Sequence, residues 1–466
     1  MQKQVLLINP RTPDGCGKSY YLPLGLLYLA SICEKIGFSC NLLDFNIHIP
    51  YTHSNPDEYC NQLLLRRLSE VQPDIVLLGC LFSGQFSQVV SVANTIKDSS
   101  PRTLTLLGGI HATTYPVDIL SNCLNIDYIV IGEGENTLER FLLKFQHGDS
   151  NYYDMDGFAF RDSGGSVVIN HKTKFIRNLD EIPFPAYHLV DMNNYFINTI
   201  GWHNPKGLKI KASAAVITSR GCPMKCSFCP MSSVMGKKYR LRSVENVFNE
   251  LILLHSKYGY TYFSFMDDNL TLDKDFTLRL CNLIIDNKLD IQFDTPNGIS
   301  INSLDEEMID ALAKAGLVRV AIAIESGSQL IREYMGKYIS EQKIQDIVGA
   351  FKKHPSVFIR AFFIMGMPED THDTLNQTYE MIRKINVDSS EVANLIVFPG
   401  TKVFSQAARD HLFFDKIRIN DLWKTSYVLS KRDYFMIKPY QLNLDELTTW
   451  RIKFDQLANP TMLPQD

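Results

Sequence analysis

Three cysteines crowd the stretch TSRGCPMKCSFCP, residues 218–230. They are Cys222, Cys226 and Cys229, spaced C-x3-C-x2-C. A structural zinc site closes with four ligands. Three thiolates on one short loop leave a metal or cluster with an open position, and closely spaced thiolates are how proteins hold iron–sulfur clusters. Zinc would need a fourth ligand, for which His203 and His255 are candidates without finger spacing. A redox pair of Cys226 and Cys229 is the other reading, and it leaves Cys222 unexplained. Further polar residues stand at the ends of apolar runs or inside them. FMDDN carries Asp267 and Asp268, AIAIESGSQ carries Glu325, and VFIRAFFIMG carries Arg360 and ends on Gly366, two residues before Pro368. The two aspartates could instead cap a helix, Glu325 could sit in an internal ion pair, and Arg360 could reach an internal acid.

The elements that must position these residues fall into two series. Up to about residue 145, short apolar runs alternate with helical patterns: VLLINP (5–10), CNLLDF (40–45), DIVLLGC (74–80), TLTLLGG (103–109) and DYIVIGEGE (127–135). Continuous Val, Ile and Leu runs of this length suit strands buried on both faces, and the alternation predicts a doubly wound parallel sheet. Residues 146–210 read as a linker. It holds a hairpin turning at Gly164-Gly165, then the proline-bearing NLDEIPFPAYHLVD. From 211 to 400 six more strand–helix repeats suggest a partial barrel, with strands expected at 213–219, 262–268, 290–297, 317–326, 357–366 and 390–400. Between them, helix 243–259 has Ser243 to cap it and Gly259 to end it. Each of these strands ends in polar or small residues, and the cysteine loop follows the first, so the candidate residues gather at the strands' carboxyl ends. Residues 401–466 form an extension with a helical tail. Trp423, Tyr427, Tyr434 and Phe435 in it could cover a substrate cleft or simply pack.

The cysteine motif with Phe228 between its last two members, following the first strand of a six-repeat barrel, resembles the radical SAM superfamily. That resemblance implies a 4Fe-4S cluster on three thiolates, with the fourth iron left for the amino and carboxylate groups of S-adenosylmethionine. Reductive cleavage then releases a 5'-deoxyadenosyl radical. It also implies that Phe228, Asp267, Asp268, Glu325, Arg360 and Gly366 contribute to the SAM site, Glu325 through the ribose hydroxyls and the Gly366–Pro368 turn beside the adenine.

The N-terminal series resembles the cobalamin-binding module of the class B radical SAM proteins, a flavodoxin-like sheet, through YLPLGLLYLAS, LLGGIHAT and IGEGENTLERFL. On that resemblance Ser83, Gly84, Gly108, Gly109, His111, Gly132 and Glu133 are candidates for binding cobalamin. Small residues after strands let a bulky corrin approach the backbone. The loop after the first strand, NPRTPDGCGKSYY, lacks the histidine that ligates cobalt in methionine-synthase-type carriers. Water, no ligand, or a side chain such as Arg11 or Tyr20 could lie beneath the metal.

The resemblances span roughly residues 3–400. They imply methylation of an unactivated carbon or phosphorus of a small molecule or natural-product precursor, through methylcobalamin. Cyclisation or oxidative rearrangement with the same cofactors is the alternative within the family, and a non-catalytic cobalamin or redox sensor the alternative outside it. The expected partners are a small-molecule or peptide substrate and an electron donor of flavodoxin or ferredoxin type.

Composition agrees. The 466 residues suggest two to four domains, and 45% hydrophobic with 21% charged residues is ordinary for a globular protein. A net charge of -4 gives no basic excess calling for nucleic acid. No segment reads as a signal peptide or as a membrane span. The seven cysteines outside the motif show no pairing rhythm, and a cytoplasmic protein is expected.

Overall fold

The computed structural model describes residues 2–12, 22–48, 55–195, 213–424 and 434–458. Tyr20, His203 and Tyr427 lie outside them. The chain divides into two compact units. The first holds the described residues of Met1–Ile197, Ser233–Met235 and Arg418–Val428; the rest form the second.

The first unit is built on seven strands: β1 Gln4–Asn9, β2 Ser39–Asp44, β3 Ile75–Gly79, β4 Leu104–Gly108, β5 Tyr128–Val130, β6 Phe158–Arg161 and β7 Val167–Asn170. Their order is β2-β1-β3-β4-β5-β6-β7. The first five are parallel, in the flavodoxin-like order. Val5 to Ile8 of β1 are fully buried, which explains their unbroken apolar run. The hairpin expected in the linker forms, with the Asp162 carboxylate accepting the N–H groups of Gly164 and Ser166 across the turn. It continues the sheet, because β6 pairs antiparallel with β5 and gives that short strand a second neighbour. Tyr195 is tied back into the unit, its hydroxyl donating to the buried Asp44 at 3.1 Å.

The second unit carries β8 Ser213–Val216, β9 Ser219–Arg220, β10 Arg240–Leu241, β11 Tyr262–Phe265, β12 Gln292–Ile299, β13 Leu317–Glu325, β14 Phe358–Met365 and β15 Ser389–Asn394. Six of them form one parallel sheet in the order β15-β14-β13-β12-β11-β8. The helix Val244–Tyr258 starts where the sequence predicts: the Ser243 side chain accepts the Asn246 N–H, and Gly259 ends it in the left-handed conformation. β15 stops at Asn394, short of the expected 400, because its partner β14 ends at Met365, the residue opposite Asn394. In β14, Ile359, Ala361, Phe363 and Met365 are buried, whereas Phe358, Arg360, Phe362 and Ile364 are only partly so. This apolar strand therefore has one covered face and one more open face.

The C-terminal extension divides. Trp423 belongs to the first unit, its ring meeting that of Phe86 edge-on at 6.0 Å. Residues from 434 onward pack on the second: the Asn394 amide donates to the Tyr434 carbonyl, and the Tyr440 N–H donates to the Pro368 carbonyl. The helix Leu444–Ala458 is pinned by the Trp450 indole N–H, which donates to His372 Nδ1 at 3.0 Å. No helix among the described residues is long and apolar enough to cross a membrane.

Candidate functional site

The cysteine loop is pinched at its base by the antiparallel ribbon of β9 and β10. Its interior is held by long-range bonds. The Ser227 N–H donates to the Met335 carbonyl at 2.9 Å, and the Val403 N–H donates to the Ser227 carbonyl at 3.1 Å. Cys222, Cys226 and Cys229 are all part-buried and free. Burial raises all three thiols above their ordinary pKa, Cys229 to about 11. Backbone N–H groups of Met224 and Met231 oppose this by favouring the thiolates of Cys222 and Cys229. The three sulfurs lie near enough to act on one another electrostatically. Among the described residues, no three His, Cys, Asp or Glu side chains converge on one point as single-ion ligands do. His255 lies in the last turn of the helix Val244–Tyr258.

The structure separates the two aspartates. Asp267 is buried and occupied within the protein. Its carboxylate accepts the N–H groups of Thr218 and Ser219 at 3.0 and 2.6 Å, and both hydroxyls at 2.8 and 2.5 Å. It caps no helix; mainly through one carboxylate oxygen, it fixes the backbone leading into the cysteine loop. Asp268 is only part-buried, and its charge acts on Cys222 and Cys229. Burial, and then the neighbouring Asp267, push its carboxyl up to about 6. Replacing Asp267 with Ala leaves four buried donors unmatched, at about 1–3 kcal/mol each for an unsatisfied group. Because the two hydroxyls can turn to other acceptors, the expected loss is that of removing one buried charged partner, about 3–5 kcal/mol, read as a lower denaturant midpoint.

Glu325 ends β13 with φ +72°, a left-handed backbone rare for a residue with a side chain. The turn after it is held by the buried Arg332, whose guanidinium donates to the carbonyls of Ser326, Gly327 and Ile339. Glu325 itself accepts from Lys337 Nζ at 2.7 Å. Gly366 and Met367 donate their N–H groups to the buried Asp370, which folds the G-x-P turn. The buried Phe435 lies beside Gly366. Arg360 makes a salt bridge to Glu391 on β15, an exposed acid and not an internal one. Lys337, Arg332 and Asp370 were missed by sequence reasoning. Only Asp370 carries a local signal, an acid four residues after Gly366 in the same turn.

In the first unit, Cys80 N–H donates to the Gly108 carbonyl at 2.8 Å, and His111 N–H donates to the Cys80 carbonyl at 3.3 Å. Gly109 has φ +113°, and a β-carbon there would lie 2.3 Å from the Cys80 oxygen. Beside Gly108 a β-carbon would meet nothing within 4 Å. His111 is 1% exposed, packed at tilted angles between Phe86 and Tyr115, with Nδ1 2.9 Å from the Ser83 hydroxyl. Burial lowers its pKa to about 4, so the imidazole is neutral at neutral pH. Gly84 is buried in the short turn of helix Ser83–Gln85. Gln85 ties that loop to the first-strand loop: its amide oxygen accepts the Leu81 and Phe82 N–H groups, and its amide nitrogen donates to the Pro10 carbonyl. Leu81 and Phe82 remain exposed. Gly132 N–H donates to the Thr113 hydroxyl. Glu133 is turned inward, accepting the Ile176 N–H at 3.0 Å, because the segment after the hairpin needs an acceptor there. Arg11 pairs with Asp57.

Comparison with known proteins agrees with both halves of the molecule. Residues 13–142 match a B12 binding domain, and residues 216–382 match the radical SAM superfamily. The chain is 31% identical over 401 residues to the cytidylyl-2-hydroxyethylphosphonate methyltransferase of Streptomyces wedmorensis, covering 78% of this chain and 73% of that one. The chain belongs to the cobalamin-dependent radical SAM family. The anaerobic magnesium-protoporphyrin IX monomethyl ester cyclase of Cereibacter sphaeroides is 26% identical, covering 95% of this chain and 68% of that one. The fold is shared with the radical SAM methyltransferase TsrM of Kitasatospora setae, solved with cobalamin and a 4Fe-4S cluster bound. The TM-score is 0.75, identity is 16%, and coverage is 99% of this chain and 90% of that one.

The protein is accordingly a radical SAM enzyme of the methyltransferase kind that uses a 4Fe-4S cluster, S-adenosylmethionine and cobalamin, and it requires a reductant. The residues present suit these groups. Three soft thiols spread along one loop can each meet a different iron. The space beside Gly108 is what a β-carbon would otherwise fill.

Proposed function

We propose that Cys222, Cys226 and Cys229 hold the cluster, and that the protein methylates an unactivated carbon or phosphorus of a small molecule or natural-product precursor. The observation that carries this is the similarity to a phosphonate methyltransferase along most of the chain, combined with a complete cysteine loop at the carboxyl end of β8. When bound, the cofactors supply a methyl group on cobalt and a 5'-deoxyadenosyl radical; the chain supplies position, charge and exclusion of water. Asp268 is the carboxylate that meets the methionine ammonium, since it is only part-buried whereas Asp267 is buried against Thr218 and Ser219. Glu325 takes the ribose hydroxyls, the turn at Gly366, folded by Asp370, backs the adenine, and Phe228 of the cysteine loop contributes to the same SAM site. The carboxyl edge of the first sheet receives the corrin and its tail. Ser83, Gly84, Gly108, Gly109 and Gly132 lie along the cofactor, His111 steadies Ser83, and the exposed Leu81 and Phe82 offer apolar surface. Glu133 acts indirectly, by holding Ile176. The reductant is a flavodoxin or ferredoxin, and the reaction takes place in the cytoplasm.

The assigned role of Asp268 has a pH signature. Its carboxyl ionises at about 6, so it is largely neutral below that pH and charged above it. SAM affinity should weaken as pH falls from 7.5 to 5.5. Asp268→Asn should flatten that dependence and weaken binding about tenfold at pH 7.5, the worth of one hydrogen bond to a charged group. Equilibrium dialysis at several pH values measures both.

The similarity to a cyclase over nearly the whole chain supports one second reading, radical ring formation without methyl transfer. Anaerobic incubation with SAM, reductant and candidate substrate separates the two. Methylation yields 5'-deoxyadenosine and S-adenosylhomocysteine together, cyclisation yields deoxyadenosine alone, and a sensor yields neither.

A further inference from the structure

Lys337 has so far appeared only as the partner of Glu325. Its side chain is only 12% exposed, with Nζ 2.7 Å from Glu325 Oε1 and 3.3 Å from the Ala323 carbonyl. The backbone just before it is joined to the cysteine loop. The Met335 carbonyl accepts the Ser227 N–H, and Gly336, at φ +81°, runs so close that a β-carbon there would sit 2.8 Å from the Lys225 oxygen. The same β-carbon would lie 3.7 Å from the Cys226 α-carbon. The ammonium is thereby brought within electrostatic range of Cys222, Cys226 and Cys229. That ammonium is paired with the Glu325 carboxylate. A buried ammonium is costly unless it is paired, and Glu325 is its partner.

We propose that Lys337 is a positioning residue with two effects: it holds the Glu325 carboxylate in place for the ribose of SAM, and its charge stabilises the reduced form of the cluster. A 4Fe-4S cluster on three thiolates gains a negative charge when reduced, and net charge and neighbouring charges set its potential. A fixed cation in a part-buried site favours that reduced state and raises the potential. The inference rests on the assignment of the three cysteines as cluster ligands.

The test uses the full chain, reconstituted anaerobically with iron and sulfide. It measures iron content, the midpoint potential by redox titration of the reduced-cluster EPR signal, and SAM affinity by equilibrium dialysis. Lys337→Met is expected to load the cluster, shift its midpoint to lower potential and weaken SAM binding about tenfold or more. Lys337→Arg should restore the potential. Glu325→Gln should also weaken SAM binding but move the potential upward, because the ammonium then faces the cluster without its carboxylate. A purely structural lysine would not produce opposite shifts in the two variants. An unchanged potential in a fully loaded Lys337→Met protein overturns the inference, as does a shift in the same direction for both variants. If Lys337→Met loads no cluster, the Glu325→Gln titration decides: an upward shift supports the inference and no shift overturns it. Failure of the underlying assignment looks different, since a cluster would then persist without the three cysteines.

Discussion

Replacing any one of Cys222, Cys226 or Cys229 with Ala is expected to abolish cluster binding and all SAM cleavage. The three thiols are the donors on the loop pinched by β9 and β10, and the loop is anchored at Ser227 rather than at the sulfurs themselves. The fold should therefore survive the substitutions while the cluster does not. Burial holds these thiols protonated in the metal-free protein, Cys229 to about pH 11, so iron must displace protons to bind. Loading should accordingly release protons and slow at low pH. Two buried thiols, Cys33 and Cys281, serve as controls. Their replacement by Ala removes a small core group, costs about 1 kcal/mol, and should leave the visible absorbance of the cluster intact. Iron and sulfide analysis beside circular dichroism reads both expectations. Undiminished absorbance in all three loop variants would contradict the assignment.

Gly109→Ala is expected to unfold the edge of the first unit and to abolish cobalamin binding. Its β-carbon would sit 2.3 Å from the Cys80 carbonyl oxygen, a distance no relaxation of a side chain can relieve because the obstacle is backbone. The left-handed φ of +113° adds strain of about 1–3 kcal/mol for any other residue. Relief requires β3 and β4 to part where Cys80 bonds to Gly108 and His111. That is a large fraction of the 5–15 kcal/mol by which domains are stable. Gly108→Ala makes the informative contrast. A β-carbon there meets nothing within 4 Å, so thermal stability should hold while cobalamin is lost, because the added methyl occupies the space assigned to the cofactor. Melting curves and cobalt content separate the pair. Retention of cobalamin by a stable Gly108→Ala protein would move the corrin site elsewhere on the sheet edge.

Much of this architecture is legible in the chain because local signals agree with the global fold. Continuous Val and Ile runs mark the parallel strands, and the cysteine spacing marks the loop. What was not legible lies in contacts between segments far apart in sequence. Nothing in FMDDN distinguishes Asp267 from Asp268; the distinction comes from Thr218 and Ser219, which β11 brings alongside through its pairing with β8. Lys337 reads as an ordinary surface lysine until the Met335–Ser227 bond brings its turn to the cysteines. Arg360 in an apolar strand leaves SAM and an acid both open, and its pairing with Glu391 is set by the adjacent strand and by the partly covered face of β14. The hairpin was visible while its docking on β5 was not, because pairing across a sheet edge leaves no mark in the hairpin's own sequence.

The most direct test of the central claim follows the methyl group. The full chain, loaded with cluster and cobalamin, is incubated anaerobically with methyl-deuterated SAM and a low-potential reductant, and the corrin is then analysed by mass spectrometry. The expected result is a deuterated methyl group on cobalamin with S-adenosylhomocysteine formed alongside. An unlabelled corrin, with SAM consumed only to 5'-deoxyadenosine, would contradict it.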